Sequence, residues 1–202
     1  MPADCLRVTG PSGSLTILGR RSRGGTYVVR AELLGAATVV FGQFRGGREV
    51  YLEPGEYLYV GSALAEVGPV CLARRVVRHA TRCGDNPPHT IRDLLLAELP
   101  RAGRGTGDLR PRGGKHPKWN IDFLLGLQAA ELTEAYLIRS RMRLEAEVGR
   151  VLRDDPSTVV FQRGLGAADV AGGTHLLRVD AGDGWWEDLP LKFEAVLARC
   201  TA

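Results

Sequence analysis

Residues 25–63 read GTYVVRAELLGAATVVFGQFRGGREVYLEPGEYLYVGSA. Four runs rich in Val, Thr and aromatics stand out: TYVVRAEL, ATVVFGQF, REVYLEP and EYLYVGSA. They are separated by Gly or Pro breaks, LLG, RGG and EPGE. β-Branched and aromatic residues between such breaks predict strands. The shortness of the breaks predicts an antiparallel meander. Tyr27 and Tyr59 each fall inside one of these strands, where a tyrosine is ordinarily half-buried packing. Gly61, just after Tyr59, lets a neighbour approach the backbone closely.

Downstream the period changes. Over residues 70–82, Leu72, Ala73, Val76, Val77 and Ala80 share one arc of a helical wheel. Arg74, Arg75, Arg78, His79 and Arg82 share the opposite arc, so an amphipathic helix with a basic face is expected. Residues 90–99 (TIRDLLLAEL), 119–128 (WNIDFLLGLQ) and 142–155 (MRLEAEVGRVLRDD) are further helix candidates. EAYLIRS (134–140) reads as a strand, and STVVFQR and THLLRV as late strands around a Gly-rich turn. The tail from Gly184 predicts a packed helix with Trp185 and Trp186 at its start. Residues 1–24 are polar and Gly/Ser/Arg-rich and read as a loose arm with one short strand around 14–18. Residues 100–118 hold five Gly, six Lys or Arg and one acid. They read as a flexible basic loop, within an insertion over about 83–118.

These elements describe an α/β (α+β) protein with a small, mainly antiparallel sheet flanked by helices. The domain is expected over residues 25–180, followed by a helical extension over 181–202. The hydrophobic share, 44%, is enough for a real core. The net charge is +4 and the pI near 9.1, so an anionic partner is favoured where the charge is clustered. Cys5, Cys71, Cys83 and Cys200 are widely spaced, with no C-x-x-C pair. Neither a zinc site nor a disulfide framework is indicated, and reduced thiols fit a cytoplasmic protein. No signal peptide is read at the start, and no apolar run reaches the roughly 18 residues of a membrane span.

Two glycine-rich segments fail as nucleotide motifs. GLGAADVAGG has Asp169 at the third glycine position, and a strand follows where a dinucleotide fold needs a helix. RPRGGKH has Leu109 and His116 where a phosphate-binding loop needs Gly and Ser or Thr.

The residues that fit chemistry are of another kind. Arg75 and His79 are four apart, one helical turn apart on the same face. A bidentate guanidinium beside a titratable imidazole suits a phosphate under attack: Arg neutralises developing charge and His relays a proton. A tyrosine acts as a base only where neighbouring positive charge lowers its pKa, and the Arg-rich helix is the candidate source. Glu145 and Glu147 lie in the helix after EAYLIRS. One helical carboxylate can hold a hard divalent cation whose shell is completed by water and phosphate oxygens. Arg74, Arg78 and Arg82 of the basic face, and Lys115 of the loop, are candidate contacts to a phosphate backbone.

In combination, GTYVV, EPGEYLYVGSAL, ARRVVRH, KWNIDFLL, RLEAEV and the late G-x-x-x-x-D…THLL stretch resemble the GIY-YIG nuclease superfamily. The closer resemblance is to its subgroup of small bacterial and archaeal proteins, some fused to an endonuclease III-like domain. The matching segments run in order over about residues 25–179. The resemblance implies phosphodiester cleavage with one divalent metal, Mg²⁺ or Mn²⁺, on nucleic acid, DNA by analogy. It implies that Tyr27 and Tyr59 are the two motif tyrosines, one of which, with Tyr59 favoured, activates water. Arg75 would steady the phosphate, His79 assist proton transfer, and Glu145 hold the metal, with Glu147 the alternative if the helix register shifts by two. Asp169 and His175 correspond to late polar positions of the subgroup, and either could line the site.

Three departures accompany this resemblance. Ser62 stands where many active superfamily members have a lysine, as is usual in the subgroup. Val170 and Gly172 stand where the subgroup often has cysteines. The insertion before Trp119 is longer than the subgroup's loop. A catalytically inactive nucleic-acid-binding module of the same fold is the alternative reading.

Overall fold

The computed structural model describes residues 5–20, 22–68, 70–103, 105, 107–165 and 174–201. Its strands are β1 (Cys5–Gly10), β2 (Gly13–Leu18), β3 (Gly25–Leu33), β4 (Ala37–Val40), β5 (Glu49–Leu52), β6 (Gly55–Ala63), β7 (Ala130–Arg139), β8 (Thr158–Val159) and β9 (Leu176–Val179). Its α-helices are α1 (Leu72–His79), α2 (Ile91–Arg101), α3 (Asn120–Leu124), α4 (Glu145–Arg153) and α5 (Asp183–Thr201).

Seven strands form one sheet in the order β1-β2-β7-β3-β6-β9-β8. Among the described residues, only β2 and β7 of this sheet run parallel; every other neighbouring pair is antiparallel. The fold is therefore mixed α/β with a mainly antiparallel sheet, in keeping with the expected class.

Period-two alternation on the central strands splits the apolar residues between two faces. Tyr27, Val29, Ala31 and Leu33 of β3, with Tyr57 and Tyr59 of β6, face a core closed by α1, α2 and α3. Val28 of β3, with Leu58 and Val60 of β6, faces a second core closed by α4 and α5. Trp186, Leu189, Phe193 and Val196 of α5 fill this second layer. The sheet is covered on both faces, which is why the tail residues are built into the fold.

The structure differs from the sequence reading in three places. First, the four-strand meander is interrupted. β3 pairs directly with β6 from Gly25↔Ala63 to Leu33↔Gly55, while β4 and β5 form their own two-stranded ribbon. Nine paired positions between two long, apolar strands outcompete pairing with the shorter, partly exposed β4 and β5.

Second, the segment expected to be a loose arm with one short strand around 14–18 contains a hairpin, of which β2 is the expected strand. β1 and β2 pair with each other, and β2 adds to β7 with Leu15 opposite Ala135. Leu15, Ile17 and Leu18 are buried, so the apolar alternation of SLTIL outweighs the polar composition around it.

Third, the described residues of the basic loop are partly anchored. Leu109 is buried with the first core, and Lys115 is buried beside Asp122. Of the expected turn over 164–173, residues 166–173 lie outside the described residues.

Candidate active site

β3 and β6 bring the two motif tyrosines together on one face. Tyr27 pairs across the strands with Gly61, and Tyr59 with Val29. Their ring centroids are 6.3 Å apart. A Cβ on Gly61 would lie 2.4 Å from the Tyr27 Oη and 2.5 Å from its Cζ. The absent side chain at Gly61 is what makes room for the Tyr27 ring, the close approach expected of this glycine.

α1 crosses this face and inserts His79. Its Nε2 is 2.9 Å from the Tyr27 hydroxyl, and its Nδ1 is 3.2 Å from Oδ1 of Asp122 in α3. The imidazole also lies 6.0 Å from the Tyr59 ring and 5.6 Å from the Trp119 indole, between centroids. His79 is therefore fully buried rather than on the exposed basic face. The wheel placed it beside the arginines correctly in angle. That face, however, is covered by α3 and the preceding loop.

Asp122 is the hub that sequence reading did not single out. Its Oδ2 accepts the backbone N–H groups of Lys118, at 2.9 Å, and Trp119, at 3.1 Å, capping the first turn of α3. Arg78 reaches both carboxylate oxygens, at 3.1 and 2.9 Å. The Lys115 ammonium lies 3.1 Å from Oδ1, close enough for an ion pair but not aligned as a hydrogen bond. The only sequence signal was an acid three positions after Trp119, the spacing of a helix cap.

The cations are sorted by the same packing. Arg75 stacks 3.9 Å above the centre of the Trp119 ring, and Arg78 is 4.6 Å from it. Arg75 and Arg74 remain half-exposed. Arg82 is buried and donates to the Ala130 carbonyl and, at 3.0 Å, to Glu131. Lys115 is buried too. The expectation that Arg82 and Lys115 meet a phosphate backbone is thus corrected: both are committed to interior partners. Arg78 is also engaged, by Asp122 and the His116 carbonyl.

Glu145 arrives from the other layer, in the first turn of α4. Ser62 donates to its Oε2, and His175 Nδ1 lies 2.8 Å from its Oε1. The His175 ring centroid is 6.5 Å from that of Tyr59, so His175 links Glu145 to the tyrosines. Glu147 makes neither contact, and its Oε2 is buried without a hydrogen-bond partner. Asp169 lies outside the described residues.

A family model described as Domain of unknown function DUF123 matches residues 26–197. The chain belongs to this family. The DUF123 match contains every site residue just described, from Tyr27 to His175. No curated protein matches the chain, and no solved structure matches it.

Electrostatics within the DUF123 site follow from burial. Burial pushes the Tyr27 hydroxyl well above the ordinary phenol value, against the pull of the Arg75 guanidinium. Burial also raises Tyr59, aided by Tyr27 and Glu145. Neither tyrosine is a phenolate at neutral pH, contrary to the expectation that the basic helix lowers their pKa. Desolvation outweighs the half-exposed arginine. Burial lowers His79 to about 4, although Asp122 opposes the shift. Burial opposes ionisation of Asp122 and Glu145 as well. Donated hydrogen bonds, from His79 and Arg78 in one case and His175 and Ser62 in the other, hold both below the usual carboxylate range.

Among the described residues, no group of three or more His, Cys, Asp or Glu side chains is gathered around a metal position. A cation here would rest on the single carboxylate of Glu145. That carboxylate is ionised, half-buried and retains lone pairs beyond those engaged by Ser62 and His175, which fits a hard ion completed by water and phosphate oxygens. Among the described residues, no helix is long and apolar enough to cross a membrane.

Proposed function

We propose that this chain is a metal-dependent endonuclease of the GIY-YIG type, hydrolysing phosphodiesters in DNA and acting in repair. The observation that carries this reading is convergence. Tyr27, Tyr59 and His79 are in mutual contact range, Arg75 borders Tyr27, and Glu145 connects to Tyr59 through His175. These residues come from β3, β6, α1 and α4, and the sheet brings them to one place.

In this reading, Arg75 takes the phosphoryl oxygens, its guanidinium held over the Trp119 ring. The proton of the attacking water passes to the Tyr27–His79 pair, with Tyr59 beside it. Glu145 would hold Mg²⁺ or Mn²⁺, which when bound supplies positive charge to the departing oxygen. Arg74, half-exposed at the rim, serves the flanking backbone.

A second reading is a DNA-binding module without cleavage. Two observations favour it: Tyr27 and Tyr59 are almost entirely buried, and both oxygens of Glu145 already accept bonds from protein donors. Incubation of the purified protein with plasmid, flap and branched DNA separates the two. The endonuclease reading expects nicking with Mg²⁺ or Mn²⁺ that stops on chelation. Binding with steep salt dependence but no cleavage would leave the binding module.

A further inference from the structure

The contacts around Asp122 define proton positions. Apart from the His79 ring nitrogen, the groups that meet its carboxylate oxygens are cations or N–H donors: Arg78, Lys115 and the amides of Lys118 and Trp119. A carboxylate so surrounded is ionised: it accepts from Arg78 and the two amides and pairs with the Lys115 ammonium. Nδ1 of His79 must therefore carry a proton directed at Oδ1. A neutral imidazole protonated at Nδ1 has a bare Nε2, so the Tyr27 hydroxyl donates to it. The order is then fixed as Asp122 carboxylate, His79 Nδ1–H, His79 Nε2, Tyr27 O–H. It has the logic of a Ser-His-Asp relay with a phenol in place of the serine.

Three residues before Asp122, Trp119 lies against Arg75 and Arg78 on the same helix face. One short segment therefore contacts both functional positions of α1.

We propose that Asp122 and Trp119 are positioning residues of this site. Asp122 fixes His79 in the Nδ1–H form, so that Nε2 stands ready to take the Tyr27 proton, and Trp119 holds the Arg75 guanidinium in place. When the Tyr27 proton moves, the O–H bond breaks and an Nε2–H bond forms; the phenol oxygen takes a proton from the attacking water at the same time, so no buried phenolate is left, and Asp122 balances the imidazolium. The use of this relay in hydrolysis rests on the function proposed above; its existence does not.

His89 supplies an internal control. Its Nδ1 accepts the Leu132 N–H at 3.1 Å and faces an Arg82 N–H at 3.3 Å. Oε2 of Glu131, a carboxylate already held by Thr90 and Arg82, is also 3.1 Å from Nδ1. Its Nε2 lies 3.1 Å from the Leu125 carbonyl, which can only accept. The neutral ring of His89 is therefore protonated at Nε2, the opposite of His79. Long-range ¹H–¹⁵N spectra of the ring nitrogens at neutral pH read both directly. The proposal expects an Nδ1–H pattern for His79 and an Nε2–H pattern for His89 in the wild type. It expects the His79 pattern to be lost in Asp122→Asn while that of His89 stays. The Arg75 side-chain protons should show an upfield ring-current shift that Trp119→Ala removes and Trp119→Phe partly keeps.

An Nε2–H pattern for His79 in the wild type would overturn the assignment of Asp122, and an unshifted Arg75 that of Trp119. Because the wild-type spectra need no variant to fold and no substrate, their outcome is independent of whether the protein cleaves DNA.

Discussion

The Tyr27 hydroxyl lies 2.9 Å from Nε2 of His79, a contact made between β3 and α1 across 52 residues of sequence. Both side chains are buried, so neither has solvent to turn to. Tyr27→Phe leaves the imidazole nitrogen unpaired. The expected stability loss is about 1–3 kcal/mol, read as a lower denaturation midpoint. In the endonuclease reading, cleavage falls by about 10²–10⁴-fold in the same variant.

Gly61 gives an independent handle on the same contact. A methyl group there would occupy the space of the Tyr27 Oη and Cζ. Tyr27 lies between the sheet and His79 and has nowhere to retreat, so Gly61→Ala is expected to cost roughly 1–3 kcal/mol from overpacking. It should also perturb the His79 ring resonances. Unchanged stability and unchanged His79 signals would show that the ring moves freely.

Stability should fall as the solution is acidified from neutral. His79, facing Arg75, Lys115 and Asp122, is lowered to about 4, mainly by burial. His89, facing Arg82, Lys115 and Glu131, is lowered for the same reason. An unfolded histidine binds its proton near about pH 6.5. Between that value and about 4 the unfolded chain therefore holds protons that the native protein refuses, and stability drops with falling pH. Below the ordinary carboxylate pKa, Asp122 and Glu145 add a loss of the same sign. Denaturant titrations at several pH values should show this slope, and His79→Gln should flatten it between about pH 6.5 and 4.

The arginines of α1 and the residues after it should separate by function. Arg74 is half-exposed; if the proposed function holds, Arg74→Ala lowers the salt slope of DNA binding by about one without unfolding the protein. Arg82 bonds the Ala130 carbonyl and Glu131 inside the fold. Arg82→Ala should cost roughly 1.5–3 kcal/mol of stability and leave the salt slope of the folded protein unchanged. Fluorescence titrations over a salt series, paired with thermal melts, distinguish the two.

Much of this was legible in the sequence because local pattern and tertiary role agreed. The β3 and β6 strands follow from β-branched and aromatic runs between Gly and Pro breaks, the apolar arc of α1 from its period, and the helix carrying Glu145 and the tail helix from local sequence. What escaped were effects of covering. A wheel gives the direction of His79 and Arg82 but not what packs over them: α3 and the residues before it cover His79, and Ala130 and Glu131 of β7 take Arg82. The strand SLTIL was legible, but its place in the sheet was not, because its partner, β7, lies more than a hundred residues away. Asp122 looked like an ordinary helix-cap acid. Its second role appears only when α1 and α3 meet. The tyrosine pKa values went the other way from expectation because burial, which sequence does not report, outweighs one nearby guanidinium.

The most direct test of the proposed function is the metal-dependent nicking of supercoiled and branched DNA by wild type, Glu145→Ala and Arg75→Ala, with folding checked by circular dichroism. The account predicts cleavage by the wild type in Mg²⁺ or Mn²⁺ and its loss in both folded variants. No cleavage by the wild type, or full cleavage by folded Glu145→Ala, would contradict it.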